Sequence, residues 1–374
     1  MASGFSLKDQ LFNAEKVAYL AGLFAAADPQ FDAARFQSAV MARLLDLELK
    51  ERIAWIAACL QKDLPADLIG AAAVMRAALP PPLDPTRQDD DFGDFIFAPL
   101  GEVVVSMGLE SEPELALDML CDVTQRFSME WAVRPFLNQW QELTLARMAD
   151  WAKHDNYHVR RLVSEGTRPK LPWGQGVSLS VEAPLPLLDE LHSDRTRYVT
   201  RSVANHLNDI TKSDPDLVLD RLACWRAAGA QEPKELDWMA GHALRSLIKA
   251  GEPRAMREVG YDPDAPITLV KLEMPKQAEM GGKLPIEMTL SATAAAGAMV
   301  DYVFWRLKSD GTHARSVRKV KQVRLAAGQP QTLSKTHILK ADATTYRLLP
   351  GRHRIDVQVN GRILGGADFE LCGP

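Results

Sequence analysis

Two stretches of this sequence space charged and polar residues one helical turn apart: Arg161 with Glu165, and Arg201 with Asn205 and Asp209. Residues four apart share one face of an α-helix, where such pairs stabilise it by about 0.2–0.5 kcal/mol each. On spacing alone that ordinary role accounts for them. His154 and His158 are also four apart, a spacing able to hold a metal ion, but no third ligand accompanies them and helix-terminal polarity explains them. Gly281-Gly-Lys283 lacks the other elements of a phosphate-binding loop. Cys59, Cys121, Cys224 and Cys372 stand far apart, with no zinc or redox spacing, and read as reduced, mostly buried thiols. No cofactor is expected. The dense basic run is His313-Ala-Arg-Ser-Val-Arg-Lys-Val-Lys-Gln-Val-Arg324. Strict alternation along a strand puts Arg315, Lys319 and Lys321 on one face, with Arg318 and Arg324 on the other or near a turn. A charged edge strand that resists aggregation is the plain alternative there.

These residues need a scaffold, and 374 residues at 47% hydrophobic content are enough for two cores. The start, MASGFSLKDQLFN, has no basic segment followed by an apolar block, and no stretch reaches the roughly 18 apolar residues of a membrane span. A cytoplasmic chain without membrane contact is expected. The net charge of -5 hides an asymmetry: residues 266–374 hold 16 Lys and Arg against 9 Asp and Glu, +7, which leaves -12 for the rest. A basic module on an acidic body is compatible with docking on phosphate.

From Leu11 to about Val259 apolar residues recur at helical spacing between short Pro, Gly and Asp punctuation. Val40 to Leu60 reads as one helical stretch, and residues 79–94 as a loop. Laying Tyr157–Glu165 over Arg197–Asn205 aligns Val159 with Val199, Arg161 with Arg201 and Val163 with Val203. The offset, about 40 residues, falls in the range of HEAT and armadillo units. Gly241 to Ile248 is a weaker third copy that puts Arg245 near the same place. One helix pair cannot bury its apolar face alone, so such repeats stack into a curved array with a concave binding side. At Tyr261-Asp-Pro-Asp-Ala-Pro266 the pattern becomes alternating, with strands over 268–274, 284–290, 300–306 and 353–359 and turns at Asp310-Gly311 and Asn360-Gly361. About seven short strands with this turn spacing describe an immunoglobulin-like sandwich. The expected fold is therefore multidomain, α then β: a HEAT-like α-solenoid over 1–265, then an immunoglobulin-like β-sandwich over 266–374.

Several blocks carry a resemblance: Phe5–Asn13, Leu45–Arg52, Phe92–Phe95, Glu130-Trp-Ala-Val-Arg-Pro-Phe136, His158–Trp173 and Tyr198–Asp209. On these the chain resembles the DNA alkylation repair glycosylases of the AlkC type, within the wider AlkC/AlkD helical-repeat family. His158–Trp173 is the most specific block, since its order of charged, small and rigid residues has no packing explanation. Trp131 departs from the family, which more often has Phe there, and is expected to change only a packing contact. The trailing sandwich fits as well, because some AlkC-type members carry an immunoglobulin-like domain that the AlkD group lacks.

The resemblance implies hydrolysis of the N-glycosidic bond of cationic alkylated bases, of the N3-methyladenine and N3-methylcytosine class, in duplex DNA. Such a base is already a good leaving group. The difficulty moves to the sugar, which becomes oxocarbenium-like and is stabilised by a fixed carboxylate that also orients water. The resembling blocks supply Glu130, Glu165 and Asp209 for that task, and Trp173 as an aromatic face to stack on the lesion or its deoxyribose. Each has a plainer reading: a first-turn helix residue for Glu130, a helix ion pair for Glu165, a plug between repeats for Trp173. Asp209, near a helix C-terminus, is disfavoured there by the macrodipole, which points away from a purely structural role. Arg160, Arg161, Arg168, Lys170 and Arg201 would hold phosphates around the lesion. In the sandwich Arg315, Arg318, Lys319 and Lys321 would touch DNA, through the minor groove as the resemblance implies. The concave surface would grip bent duplex and reach C1′ without a deep base pocket. A monomeric enzyme acting on duplex DNA is thus expected, against two rivals: a non-catalytic binder of DNA structures and a protein-interaction solenoid.

Overall fold

The computed structural model describes residues 6–87, 92–343 and 346–373. Phe5 of the first resembling block and residues 88–91 of the 79–94 loop lie outside them. The helices are α1 (Leu7–Leu11), α2 (Ala14–Ala27), α3 (Ala33–Leu44), α4 (Leu49–Gln61), α5 (Leu68–Ala78), α6 (Ala98–Gly108), α7 (Pro113–Thr124), α8 (Val133–Gln139), α9 (Gln141–Trp151), α10 (Tyr157–Gly166), α11 (Leu185–Leu191), α12 (Arg197–Ile210), α13 (Pro215–Ala228), α14 (Pro233–Ala243), α15 (Arg245–Ala250) and α16 (Pro253–Glu258). The strands are β1 (Ile267–Glu273), β2 (Gln277–Glu279), β3 (Lys283–Ala292), β4 (Ala296–Leu307), β5 (His313–Leu325), β6 (Gln331–Ile338), β7 (Gly351–Val359) and β8 (Arg362–Cys372). Helices followed by strands are the expected fold class. The chain forms two compact units, Met1–Asp214 with Arg221–His242, and Pro215–Asp220 with Ala243–Pro374.

In the first unit short polar residues open the helices. The side chains of Asn13, Asp32, Asp67 and Asn156 accept the N–H of Lys16, Arg35, Gly70 and His158 at 2.8–3.0 Å, satisfying donors that a helix start leaves free. The stretch Val40–Leu60 is not one helix. Glu51 Oε2 accepts the N–H of Glu48 at 2.8 Å and starts α4 afresh. The fully buried Arg52 collects the carbonyls of Leu47, Lys8 and Phe12 at 2.9–3.0 Å, so the intervening turn keeps its hydrogen bonds.

The repeat alignment holds at α10 and α12, which pack directly on each other. Val159, Leu162 and Val163 of α10 and Val199, Val203 and Leu207 of α12 are all fully buried. Each such side chain contributes about 1.5–3 kcal/mol by leaving water, and that packing fixes the rotation of both helices. The weaker third copy does not form one helix: Gly241 and His242 end in α14, and Arg245 opens α15 in the other unit.

In the second unit a three-stranded sheet, β1-β3-β6, faces a five-stranded sheet, β2-β8-β7-β4-β5. Leu284, Ile286, Met288 and Leu290, every second residue of β3, meet Val300, Tyr302 and Phe304 of β4 and Ile355 and Val357 of β7 in one core. The β7–β8 hairpin turns at Asn360-Gly361, both with positive φ (45° and 82°), as a two-residue turn requires. The five-stranded sheet is covered on its other face too. Residues 300–304 are buried without alternation, and the α15–α16 segment supplies acceptors: the Lys249 carbonyl takes Arg315, and the Asp262 and Pro263 carbonyls take Asn360 and Arg362. A bulge in β5 corrects the alternation expected there. Lys319 pairs with Asp301 but Lys321 with Val300, so Lys321 leaves the face shared by Arg315 and Lys319.

The thiols depart from expectation. Cys59 is buried and Cys121 half-buried, and burial raises both, the latter to about 12, but Cys224 and Cys372 are exposed. All four are free. Among the described residues no helix is long and apolar enough to cross a membrane.

Candidate functional site

The three carboxylates picked from sequence come together, strung on two guanidiniums. Arg161, on α10, donates to Glu130 Oε2 at 2.8 Å and to Ser128 Oγ at 3.0 Å, and approaches Glu165 Oε2 at 3.5 Å. Arg168, just after α10, bonds Glu165 Oε1 on one side and Asp209 Oδ2 on the other, through Nε at 2.9 Å and Nη2 at 2.8 Å. Lys212 Nζ closes the row on Asp209 Oδ1 at 2.8 Å. The order is thus Glu130, Arg161, Glu165, Arg168, Asp209, Lys212. Stacking of α10 on α12 produces it, because Glu165 and Asp209 project from neighbouring helices toward the same arginine. Glu130 lies in the turn before α8, outside the helix, so a first-turn role does not apply.

The oxygens are not used alike. Glu165 accepts Ser202 Oγ at 2.6 Å on Oε2 and Arg168 on Oε1, so both its oxygens are engaged. Burial opposes its ionisation, but Arg161, Arg168 and the Ser202 hydroxyl together hold its pKa below the ordinary carboxylate value. Glu130 accepts Ser128 and Arg161 both on Oε2, which leaves Oε1 without a bond among the described residues. Asp209 has one bond to a half-exposed lysine that can swing away. Side-chain exposure is 18% for Glu130 but only 6% for Glu165 and 5% for Asp209, so Glu130 is the most open of the three. Arg161 is penalised by burial, yet Glu130 and Glu165 raise its pKa; its guanidinium also lies 4.7 Å from the centre of the Tyr198 ring, and that of Arg201 at 5.9 Å. Burial pushes the Tyr198 hydroxyl up to about 12. His206, fully buried, donates Nδ1–H to the Ser164 carbonyl at 3.0 Å and is pushed down to about 4 by burial.

Trp173 is 55% exposed and holds a left-handed backbone, φ 63°. It is no plug between repeats. Two cations fix its loop: Arg134, buried inside α8, donates Nη1 to the carbonyls of Gly166 and Arg168 at 2.9 Å and Nε to that of Gln175, and Lys50 bonds the Trp173 carbonyl. The Trp173 ring lies 6.0 Å from that of Trp131, the neighbour of Glu130. Both line a cavity of 330 Å³ with Lys50, Glu102 and Gln175. Trp131 thus packs beside Trp173 at the cavity wall, and its indole N–H has no acceptor among the described residues.

Not every expected residue joins this row. Lys170 is exposed nearby in the loop after α10. Arg160 is turned away: it pairs with Asp194 and donates to the carbonyls of His154 and Asp155 at 2.7 and 2.8 Å, pinning the loop before its own helix. One residue along a helix is a rotation of about 100°, enough to send Arg160 and Arg161 to different duties. His154 accepts the Asn156 N–H, and His158 is buried against Tyr157 and Tyr198. In the other unit Arg315 spends its guanidinium on Lys249 and Gln358, Lys319 lies across from Asp301, and Lys321 and Arg318 lie on the opposite side. Ser128, Ser202, Arg134, Tyr198 and Lys212 complete the site and were not picked from sequence. Only Ser202 carried a usable signal, since it falls 37 residues from Glu165, near the repeat offset.

Comparison with known proteins fits this geometry. The structure of the Pseudomonas fluorescens alkylpurine DNA glycosylase AlkC bound to DNA containing an abasic site analogue is similar over 98% of this chain and 100% of that one, with a TM-score of 0.87 and 34% identity. The chain belongs to the AlkC-type family. The uncharacterised protein YhaZ of Bacillus subtilis (strain 168) is 30% identical over 370 residues, 97% of this chain and 99% of its own. The family profile described as the C-terminal Ig-like domain of YhaZ matches residues 268–373, the sandwich strands. The AlkC-type fold, a helical-repeat array followed by an immunoglobulin-like sandwich, is thus the fold of this chain.

Proposed function

We propose that this protein is a DNA glycosylase that hydrolyses the N-glycosidic bond of cationic alkylated bases in duplex DNA, of the N3-methyladenine and N3-methylcytosine class, leaving an abasic site. The likeness to AlkC supports the activity class. The observation that carries the chemistry is the row of carboxylates on Arg161 and Arg168, with Glu130 and Asp209 at its two ends.

A cationic base needs no proton to leave, so the site need not supply a general acid. What the reaction needs is fixed negative charge where the sugar turns cationic. Glu130 offers an unbonded Oε1, and Asp209 offers Oδ1 once the mobile Lys212 moves aside; either can accept a proton of the attacking water. Glu165, with both oxygens held, is a positioning residue that keeps the two arginines apart and aimed at the ends. Trp173, exposed on a pinned loop, stacks on the lesion nucleotide without forming the wall of a deep base pocket. Lys170 and Arg201 hold backbone phosphates around it, whereas Arg161 and Arg168, expected for the same task, are committed to the carboxylates.

Release of methylated base from alkylated duplex tests the reading, with Asp209→Asn and Glu130→Gln beside wild type. Loss of release in both, with duplex binding kept, is the expected result. Normal excision by both removes the site assignment. Binding of abasic duplex by wild type with no base release at all would make the protein a non-catalytic DNA binder.

A further inference from the structure

The 330 Å³ cavity beside the row has a chemistry of its own. Three elements and one loop line it: Lys50 comes from α4, Glu102 from α6, Trp131 from the turn before α8, and Trp173 with Gln175 from the loop. At Gly101 α6 is pressed onto that turn, since a Cβ there would lie 2.9 Å from both the Ala132 Cβ and the Met129 Sδ. This close approach brings Glu102, the next residue, into the same cavity as Trp131. The two indole rings, 6.0 Å apart and inclined at 52°, make two walls that are not parallel. With Trp173 mostly exposed the cavity is an open recess, so one edge of a base can enter it while the rest of the ring stays outside.

Charge decides what fits there. Glu130, Glu165 and Asp209 are matched by Arg161, Arg168 and Lys212, so the row carries no net charge with which to tell one base from another. Glu102 is different. It is exposed, and its carboxylate has neither an ion pair nor a hydrogen bond among the described residues. Lys50, the cation of the lining, bonds the Trp173 carbonyl and is committed to the loop. The indole is the aromatic side chain whose face attracts a cation most strongly, and two such faces with an unmatched carboxylate are the parts of an aromatic cage. The ligand they match is a flat organic cation; a neutral base of the same shape would gain stacking alone.

We propose that this recess seats the positive charge of the damaged base, with Glu102 as its counter-charge and Trp131 and Trp173 as its walls, so that Glu102 selects a cationic base over a neutral one. The ligand's identity as a DNA base rests on the glycosylase reading above. When the C1′–N bond breaks, its electron pair goes to the base, which becomes neutral, and the positive charge passes to the sugar. Glu102 therefore favours the bound lesion and not the transition state, and it sets affinity where Glu130 and Asp209 set rate.

The test uses the full-length chain and two duplexes, one carrying N3-methylcytosine, cationic at neutral pH, and the other N3-methyluracil, its neutral counterpart of the same shape. Both bases sit on a 2′-fluoro sugar, whose fluorine opposes charge at C1′ and blocks hydrolysis. Wild type should bind the first duplex about tenfold or more tightly than the second. In a Glu102→Gln variant that melts like wild type the ratio should fall to within about twofold, since one partly solvated charge contact is worth about a factor of ten. The ratio is the quantity read, because losing a negative charge tightens binding to any duplex. On natural sugars, Glu102→Gln at saturating enzyme should release N3-methylcytosine at least as fast as wild type. Equal affinity of wild type for the two duplexes, an undiminished ratio in the variant, or a rate lost at saturation overturns the proposal. Preference for the cationic duplex with no release of base by wild type would support the seat and overturn the glycosylase reading alone.

Discussion

Asp209→Asn keeps the shape of the side chain and removes one charge from a row where every charge is accounted for. A carboxylate about 4 Å from the sugar cation, at an effective dielectric constant of about 20, is worth about 4 kcal/mol. At 1.36 kcal/mol per factor of ten that is about a thousandfold in rate. Two effects modify the figure. Arg168 and Lys212 already draw on the Asp209 charge at 2.8–2.9 Å, which lowers what the sugar feels. The amide leaves both cations uncompensated beside a forming cation, which acts in the opposite sense. We therefore expect single-turnover release of methylated base to fall about 10²–10³-fold, in line with the loss of one preorganised electrostatic group. Affinity for duplex carrying an abasic-site analogue should stay the same or tighten, because the change removes a negative charge near phosphate. The reasoning fails if release stays within about threefold of wild type. It fails equally if release and affinity fall together by the same factor, since Asp209 would then only shape the surface.

Three further outcomes follow from the same geometry. Lys170→Gln should weaken duplex binding and reduce the log–log salt slope by about 0.9, whereas Arg160→Gln should leave the slope unchanged and lower Tm, because it strands Asp194 in a buried pair whose breaking costs about 3–5 kcal/mol; equal slopes for both variants would contradict the division of duties. Trp173→Gly and Trp173→Ala should both lose excision, but the glycine variant should be the more stable by about 1–2 kcal/mol, since only alanine retains the left-handed penalty at φ 63°; denaturant midpoints that coincide would show that the loop relaxes. Burial holds His158 and His206 at about 4, against about 6.5 in an unfolded chain. The unfolded state binds more protons between those values, so stability present above about pH 6.5 should drain away toward pH 4, by up to about 3 kcal/mol per histidine. Glu165 adds its own loss lower, below the unfolded carboxylate value near 4.3. A Tm that is level from pH 7 to pH 5 would refute this.

What could be read from sequence divides along physical lines. Periodicity located α10 and α12 and their stacking, because burial of Val159, Val163, Val199 and Val203 repeats at a fixed offset. It also located the strands, where β3 alternates strictly. The carboxylates were found because their blocks resemble a known family and not because of their spacing, which fits a helix pair equally well. Three things were out of reach. The break between α3 and α4 depends on Glu51 capping Glu48, a polar contact inside an otherwise continuous apolar pattern. The fate of Arg160 depends on Asp194, 34 residues away, and no local rule separates it from Arg161. The position of Lys321 depends on a single extra residue in β5, which inverts every side chain beyond it.

One contact sets terms for anyone dissecting this chain. Gly251 and Gly361 meet backbone to backbone: a Cβ on the former would lie 2.3 Å from the Gly361 carbonyl oxygen, and one on the latter 2.8 Å from the Gly251 Cα. With Arg315 on the Lys249 carbonyl and Asn360 on that of Asp262, the hairpin has its seat in residues that a cut at the first strand would discard. Excised for separate study, the β-module should begin no later than residue 243, and any methyl group introduced at either glycine should unseat it as surely as the cut.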